Sequence, residues 1–191
     1  MSPWTLHVDG SSNVKGSGLG IALETPDDEQ IVQAIRCGFK ATNNEVEYEA
    51  LIAGLKLASE LGAKVLEVKS DSQLVSKQIN GSYQAKDQRM KKYLDVVSDL
   101  TARFDALKIT QIGREDNRKA DALANIGSSI EVTETKQIPL FYLKTPAIEV
   151  NNRIVLNNSL TWDWRSPLLS YLLQGKLPSD KNEARRTHVS C

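Results

Sequence analysis

Cysteine is nearly missing from this chain: Cys37 and Cys191 are the only two in 191 residues. Two cysteines build no disulfide framework, and with His7 and His188 as the only histidines they are too few for a zinc cluster. A reducing, intracellular setting is the expectation. No apolar run approaches the roughly 18 residues that a membrane span requires. Met1 to Thr5 lacks the basic-then-apolar pattern of a secretion signal, so neither a span nor a leader is expected. Charge of either sign is not in excess, since 24 Lys and Arg balance 24 Asp and Glu. That argues against a strong non-specific nucleic-acid binder while leaving room for a local basic patch. Also missing are a GxSxG elbow, a usable Cys–His pair and a phosphate-binding P-loop. Gly16-x-Gly18-x-Gly20 lacks the last glycine of the dinucleotide pattern and reads as a turn leading into a strand. What remains is a chain with 40% hydrophobic residues, enough for one packed domain with room for an appendage.

Three short strands come first. Trp4 to Val8 ends at the turn-like Asp9-Gly10-Ser11-Ser12. Gly18 to Glu24 follows, then a turn at Pro26-Asp27-Asp28-Glu29, then Gln30 to Phe39. Their spacing predicts an antiparallel meander. Thr42-Asn43-Asn44 caps a helix that runs to Leu61 and stops at Gly62. Val65 to Lys69 is a fourth strand, and Ser70-Asp71-Ser72 caps a short helix through Ile79. A further helix spans about Asp87 to Phe104, Leu107 to Ile112 is a fifth strand, and Asn117 precedes a last helix, Lys119 to Ile126. The order βββαβααβα describes an α/β domain over residues 1–129, a mixed five-stranded sheet covered by helices. Residues 130–191 change character. Glu131 to Leu160, rich in Thr, Asn and Pro, reads as a tether, and Trp162 and Trp164 precede a short apolar helix, Leu168 to Leu173.

Four acids stand in unusual places. With Glu47 at the origin and about 100° per residue, Leu51, Gly54, Leu55 and Ala58 lie on one side of it and Val46, Ala50, Ala53, Leu57 and Leu61 on the other. Glu47 therefore sits near the middle of the apolar arc, while Glu45, Glu49 and Lys56 point away and read as solvated. A carboxylate facing a core costs several kcal/mol unless it is paired or bound to a cation. The plainer alternative is that Glu47, in the first turn, complements the helix dipole or escapes to solvent. Asp9 and Asp71 each end an apolar strand, and Asp121 lies in the first turn of the last helix. Each alone is equally readable as a cap or turn acid. Together, at strand ends and helix starts, they can converge on one edge of a sheet, where ligand sites commonly lie. Carboxylates without His or Cys suit a hard cation, Mg²⁺ or Mn²⁺. Two such ions roughly 4 Å apart serve phosphodiester chemistry.

The segments His7-Val-Asp-Gly-Ser, Ala41-Thr-Asn-Asn-Glu-Val-Glu-Tyr-Glu-Ala-Leu, Ser70-Asp-Ser-Gln-Leu-Val and Arg114-Glu-Asp-Asn-Arg-Lys-Ala-Asp-Ala-Leu-Ala, in that order, resemble ribonuclease H of type 1. The likeness spans about residues 2–128 and is nearest in kind to the ribonuclease H module of gypsy-type retrotransposon polyproteins, a reverse transcriptase-like domain. It implies a ribonuclease H-like fold and an endonuclease that hydrolyses the RNA strand of RNA–DNA hybrids, leaving 5′-phosphate ends. It also implies two Mg²⁺ ions, with Mn²⁺ as an alternative, held by Asp9, Glu47, Asp71 and Asp121. On the same resemblance Thr42 lies near a DNA-strand phosphate, and Asn43 and Asn44 read the RNA minor groove. Gly10 and Ser11 offer backbone groups to RNA, and Gln73 offers an amide. Thr-Asn-Asn is equally a plain helix cap.

Two departures from the family pattern stand out. Many members carry a His on a loop before the last acid; here the loop is short and Arg114 occupies the neighbourhood. The basic protrusion of some members is reduced to Lys86, Arg89, Lys91 and Lys92, which also reads as a solvated helix face. Ser159 to Arg186 resembles the connection that precedes integrase, implying fusion to, or association with, reverse transcriptase or integrase. A monomer without membrane attachment is expected. Two other functions stay open: a weak or inactive module that holds hybrid without cutting it, and a scaffold that docks a partner through Trp162, Trp164 and Leu168 to Leu173.

Overall fold

A computed structural model describes residues 2–82, 84, 85, 87–129, 140–149, 154 and 155. Alternating apolar residues build β1 (Trp4–Asn13), β2 (Gly16–Glu24) and β3 (Gln30–Cys37), an antiparallel meander. Asp28, at φ 62°, turns the chain between β2 and β3. Then follow α1 (Asn43–Glu60), β4 (Val65–Ser70), α2 (Gln73–Ile79), α3 (Gln88–Thr101) and β5 (Ala106–Gln111). A single 3₁₀ turn, Arg114–Asn117, leads directly into α4 (Arg118–Ser129). β4 pairs parallel to β1, and β5 parallel to β4.

The α/β order expected from sequence is present in full, and the sheet is wider than expected. Among the described residues it has seven strands, ordered β5-β4-β1-β2-β3-β6-β7. The two additions are β6 (Leu140–Leu143), parallel to β3, and β7 (Ile154–Val155), antiparallel to β6. Both fall in the stretch that composition reads as a tether. The Leu-Phe-Tyr-Leu run is strand-forming, and β3 would otherwise present an open edge with unpaired backbone groups. Gly38 N–H donates to the Leu143 carbonyl at 2.9 Å, closing this addition onto the end of β3. Residues 1–156 form one unit and 157–191 another. Trp162, Trp164 and the helix expected over Leu168 to Leu173 lie outside the described residues.

The two faces of the sheet are covered differently. Leu6, Val8, Leu19, Ile21 and Leu23 point to the face under α1, where they join Val46, Leu51, Ile52 and Leu55 in the core. α3 lies over α1 in turn, with the Tyr48 and Tyr93 rings stacked 5.5 Å apart. On the opposite face α4 lies almost directly on backbone. A Cβ at Gly20 or Gly18 would collide with the main chain of α4 at Ala120, Ala124 and Ser128. Gly18 and Gly20 of the Gly16-x-Gly18-x-Gly20 series thus do more than lead out of a turn: they let a helix approach the sheet at backbone distance. Arg36 ties down the far end of α4 by donating to the Ser128 carbonyl at 2.5 Å. No helix among the described residues is long and apolar enough to cross a membrane.

Candidate active site

The site forms where two parallel strands part. β4 opposes β1 only as far as Val8, which pairs with Ser70. Past that point β1 continues with β2 alone, through Asp9 to Asn13. Asp9 is therefore within a strand and does not end one, as the turn-like Asp-Gly-Ser-Ser sequence suggests; pairing with Gly20 to Gly16 of β2 keeps these residues extended. Asp71 follows the last residue of β4. Both aspartates thus face the crevice that opens where β1 and β4 part, just beyond the carboxyl end of β4, the usual kind of place for ligands in such sheets.

Glu47 enters from α1. A Cβ at Gly10 would stand 2.6 Å from the Val46 carbonyl carbon and 2.7 Å from Glu47 N, so only glycine allows α1 to cross β1 this closely. Asp9, Glu47 and Asp71 each offer a carboxylate oxygen, and these atoms lie within 4.8 Å of one another. Glu47 Oε2 is buried with no hydrogen-bond partner among the described residues. Burial, then the Asp71 charge and contact, then Asp121 push the Asp9 carboxyl up to about 8, against the pull of Arg114. Burial, then Asp9 and Asp71 push Glu47 up to about 9, against a Gly10 backbone hydrogen bond and Arg114. Three crowded carboxylates with an orphaned oxygen and hard donors alone fit a divalent cation of the Mg²⁺ class.

Asp121 stands beside this trio. It acts on Asp9 through its charge, and its Oδ2 accepts from Asn125 at 3.2 Å. Arg114 Nε lies 3.9 Å from Asp71 Oδ2, on a side chain 83% exposed. The remaining candidates surround the crevice. Ser11 Oγ donates to Asn125 Oδ1 at 3.0 Å. Asn43 and Asn44 are exposed in the first turn of α1, and Gln73 is exposed at the start of α2. Thr42 caps α1, and its hydroxyl and N–H both donate to Glu45 Oε2, at 2.9 and 2.7 Å.

Several sequence readings change here. Glu45 and Glu49 are buried, because α1 is enclosed on its outer side by α3 and residues 146–149. Arg89 gives its guanidinium to Glu45 at 2.5 Å, which removes it from the free basic cluster. Burial opposes ionisation of Glu45, but the Thr42 N–H and hydroxyl and Arg89 outweigh it and hold the carboxyl below its usual range. Lys91 and Lys92 remain exposed, and Lys86 lies outside the described residues. Cys37 is buried, its thiol pushed up to about 12 chiefly by burial, so it is not a nucleophile. Asn117, expected only to precede the last helix, is a fully buried residue between β1 and Asp71. Its place inside the last motif segment, between Arg114 and Asp121, is the one sequence signal, and burial is invisible in it.

The reverse transcriptase-like family matches residues 7–127, which include all four acids. Ribonuclease HI of Halobacterium salinarum is 36% identical over 121 residues, covering 62% of this chain and 61% of the relative. The chain thus spans less than two thirds of that relative's length. The solved N-terminal ribonuclease H domain of Rv2228c from Mycobacterium tuberculosis superposes with a TM-score of 0.60 at 32% identity, covering 67% of this chain and 100% of that one. LC11 ribonuclease H1, solved in complex with an RNA/DNA hybrid, gives a TM-score of 0.57 at 26% identity, covering 65% and 96%. With the family match running over residues 7–127, more than half of its length, the chain belongs to the reverse transcriptase-like family and carries its ribonuclease H-type domain.

Proposed function

We propose that this protein is an endonuclease that hydrolyses the RNA strand of RNA–DNA hybrids by two-metal-ion catalysis. The observation that carries the reading is the Asp9–Glu47–Asp71 trio, three carboxylate oxygens within 4.8 Å at the parting of β1 and β4. The ribonuclease H relatives, one of them solved on a hybrid, support the choice of substrate. Asp9, Glu47, Asp71 and Asp121 hold the cations. A pair of Mg²⁺ ions there, or Mn²⁺, supplies an activated water and counter-charge for the leaving oxygen.

The chain's own groups supply the rest. Burial and crowding make Asp9 and Glu47 hold protons that a divalent cation would displace, and the acids serve as cation ligands, not as covalent nucleophiles. Arg114, exposed beside Asp71, meets a backbone phosphate, while Thr42 lies near the DNA strand. Asn43 and Asn44 reach the RNA minor groove and its 2′-hydroxyls, which is how a protein tells RNA from DNA. Gly10, Ser11 and Gln73 border the RNA path. We assign catalysis to residues 1–129, whose sheet β6 and β7 extend, and the connecting role to the rest of 130–191, in a monomer that operates inside the cell fused to or beside a reverse transcriptase or integrase.

The test is incubation of the chain with Mg²⁺ and an end-labelled RNA–DNA hybrid. Cleavage of the RNA strand is expected, with loss on chelation and in Asp71→Asn. Undiminished cleavage by Asp71→Asn sinks the site assignment. A second reading, a module that holds hybrid without cutting it, is favoured by the short β5–α4 connection in which Arg114 stands exposed. Hybrid binding with no turnover in Mg²⁺ or Mn²⁺ would select it.

A further inference from the structure

Asn117 belongs to no group of acids and makes no contact with solvent: its exposure is 0%. Its amide nitrogen donates twice, to the Val8 carbonyl at 2.9 Å and to Asp71 Oδ1 at 3.3 Å. Val8 is the last residue of β1 that β4 opposes, and Asp71 is the first residue beyond β4. The Asn117 amide therefore spans the gap at the very point where the parallel ladder stops. It lends the Val8 carbonyl a donor and holds one oxygen of Asp71 at a set distance from the strand that carries Asp9. Arg114 faces the other oxygen of Asp71, but from an exposed side chain at 3.9 Å. Of the two, the buried amide is the one with a defined geometry.

The main chain of Asn117 adds a third connection. It is the last residue of the 3₁₀ turn, and α4, which carries Asp121, begins at the next residue. One side chain and its backbone thus join the strand of Asp9, the carboxylate of Asp71 and the helix of Asp121. Its own Oδ1 is buried, with the His7 side chain as its hydrogen-bonding neighbour.

We propose that Asn117 is a positioning residue for the cation site: it sets the orientation of Asp71 relative to Asp9 and Asp121, and so the affinity of the trio for divalent cations. The inference rests on the nuclease reading for its purpose, but its geometry can be tested without cleavage. Groups that orient metal ligands from behind typically change metal affinity by about 10–100-fold when removed.

The experiment measures Mn²⁺ binding to the full chain without nucleic acid, by titration calorimetry, for the parent, Asn117→Ala, Asn117→Ser and Val97→Ala. Val97 lies in the core of α3 and serves as a control for lost stability. Asn117→Ala is expected to weaken Mn²⁺ binding about tenfold or more. Asn117→Ser, which keeps one donor, falls between. On hybrid, kcat drops in the same order while KM stays within about twofold, because substrate contacts are untouched. Parental Mn²⁺ affinity in a folded Asn117→Ala overturns the proposal, as does an equal loss in Val97→Ala. If Asn117→Ala does not fold, the same comparison is made between Asn117→Ser and Val97→Ala. A parent that binds Mn²⁺ but never cuts hybrid defeats the nuclease reading, while the Mn²⁺ comparison still judges Asn117. A parent that binds no Mn²⁺ defeats both.

Discussion

Glu47 and Glu49 lie two residues apart on α1 and meet opposite surroundings. Glu47 faces Asp9 and Asp71, and every acid near it pushes its carboxyl further up, to about 9. Glu49 faces α3 and the chain after β6. Its Oε1 accepts from the Tyr93 hydroxyl at 2.6 Å and from the Ala147 N–H at 2.8 Å. Burial pushes Glu49 up as well, but those two donors pull it back, to about 7. Each glutamate leaves its other oxygen buried without a hydrogen bond among the described residues. An orphaned oxygen is therefore not what marks the site. The sign of the neighbours is: acids around Glu47 call for a cation, and donors around Glu49 make a structural joint.

Glu47→Gln sharpens this contrast most. It replaces a cation-binding carboxylate of the trio with an amide, so cleavage of hybrid in Mg²⁺ should fall about a thousandfold, roughly 4 kcal/mol of activation free energy. In chelator the melting temperature should hold near neutral pH, where Glu47 is protonated, and rise relative to the parent as pH approaches about 9, where the parent's Glu47 ionises against Asp9 and Asp71. Single-turnover rates and thermal melts check both. A large loss of stability would break the comparison by making Glu47 a structural group like Glu49.

Glu49→Ala should do the reverse. It leaves the Tyr93 hydroxyl and the Ala147 N–H without their acceptor, costing about 2–5 kcal/mol in urea unfolding. The rate per folded molecule should stay within about twofold of the parent. Glu49→Gln keeps an acceptor and should cost under about 1 kcal/mol. If Glu49→Ala melts like the parent, the joint holds nothing.

The two regions should also separate by pH. Asp9 and Glu47 rise from ordinary values of 3.8 and 4.5 to about 8 and about 9. Folded carboxyls with raised values bind protons better than unfolded ones. Their stabilisation is complete below the unfolded values and is lost as pH climbs through about 8 and 9. In chelator the melting temperature should therefore fall as pH rises across this window. Mg²⁺ should recover more of it at about pH 8 than at about pH 5.5, since cations compete with protons for the same oxygens. Glu49→Gln should remove only the part of the slope between its ordinary value of 4.5 and about 7. Calorimetric melts with and without Mg²⁺ read both terms, and a Mg²⁺ effect independent of pH would contradict the assignment.

The smallest effect belongs to Arg114→Ala. The side chain is 83% exposed and 3.9 Å from Asp71, so the melting temperature should not move measurably. Hybrid KM should rise at low salt, with the salt slope of binding shallower by about one unit. An unchanged salt slope would remove Arg114 from the phosphate path.

Much of the site was legible before any coordinates. Glu47 stood out by helix geometry, and the ordered motifs marked Asp9, Asp71 and Asp121. The helical wheel went wrong at Glu45 and Glu49, because a wheel knows one buried face and α1 has two. Their covers, α3 and residues 146–149, come from about 40 and 100 residues away, and periodicity carries no such information. β6 was hidden for the same reason, since a four-residue apolar run becomes a strand only when β3 offers an edge.

The sequence by itself determined the order of the elements, the meander, the caps of α1 and the four acids, because each depends on local periodicity, turn chemistry or residue type. Tertiary structure decided which acids meet. Asp9, Glu47 and Asp71 converge because Gly10 lets α1 cross β1 and because β4 leaves β1 after Val8. Asp121 stands beside them because Gly18 and Gly20 let α4 rest on the backbone of β2. Whether a buried glutamate holds a cation or a joint depends on side chains that meet it across long stretches of chain, and only folding brings them there.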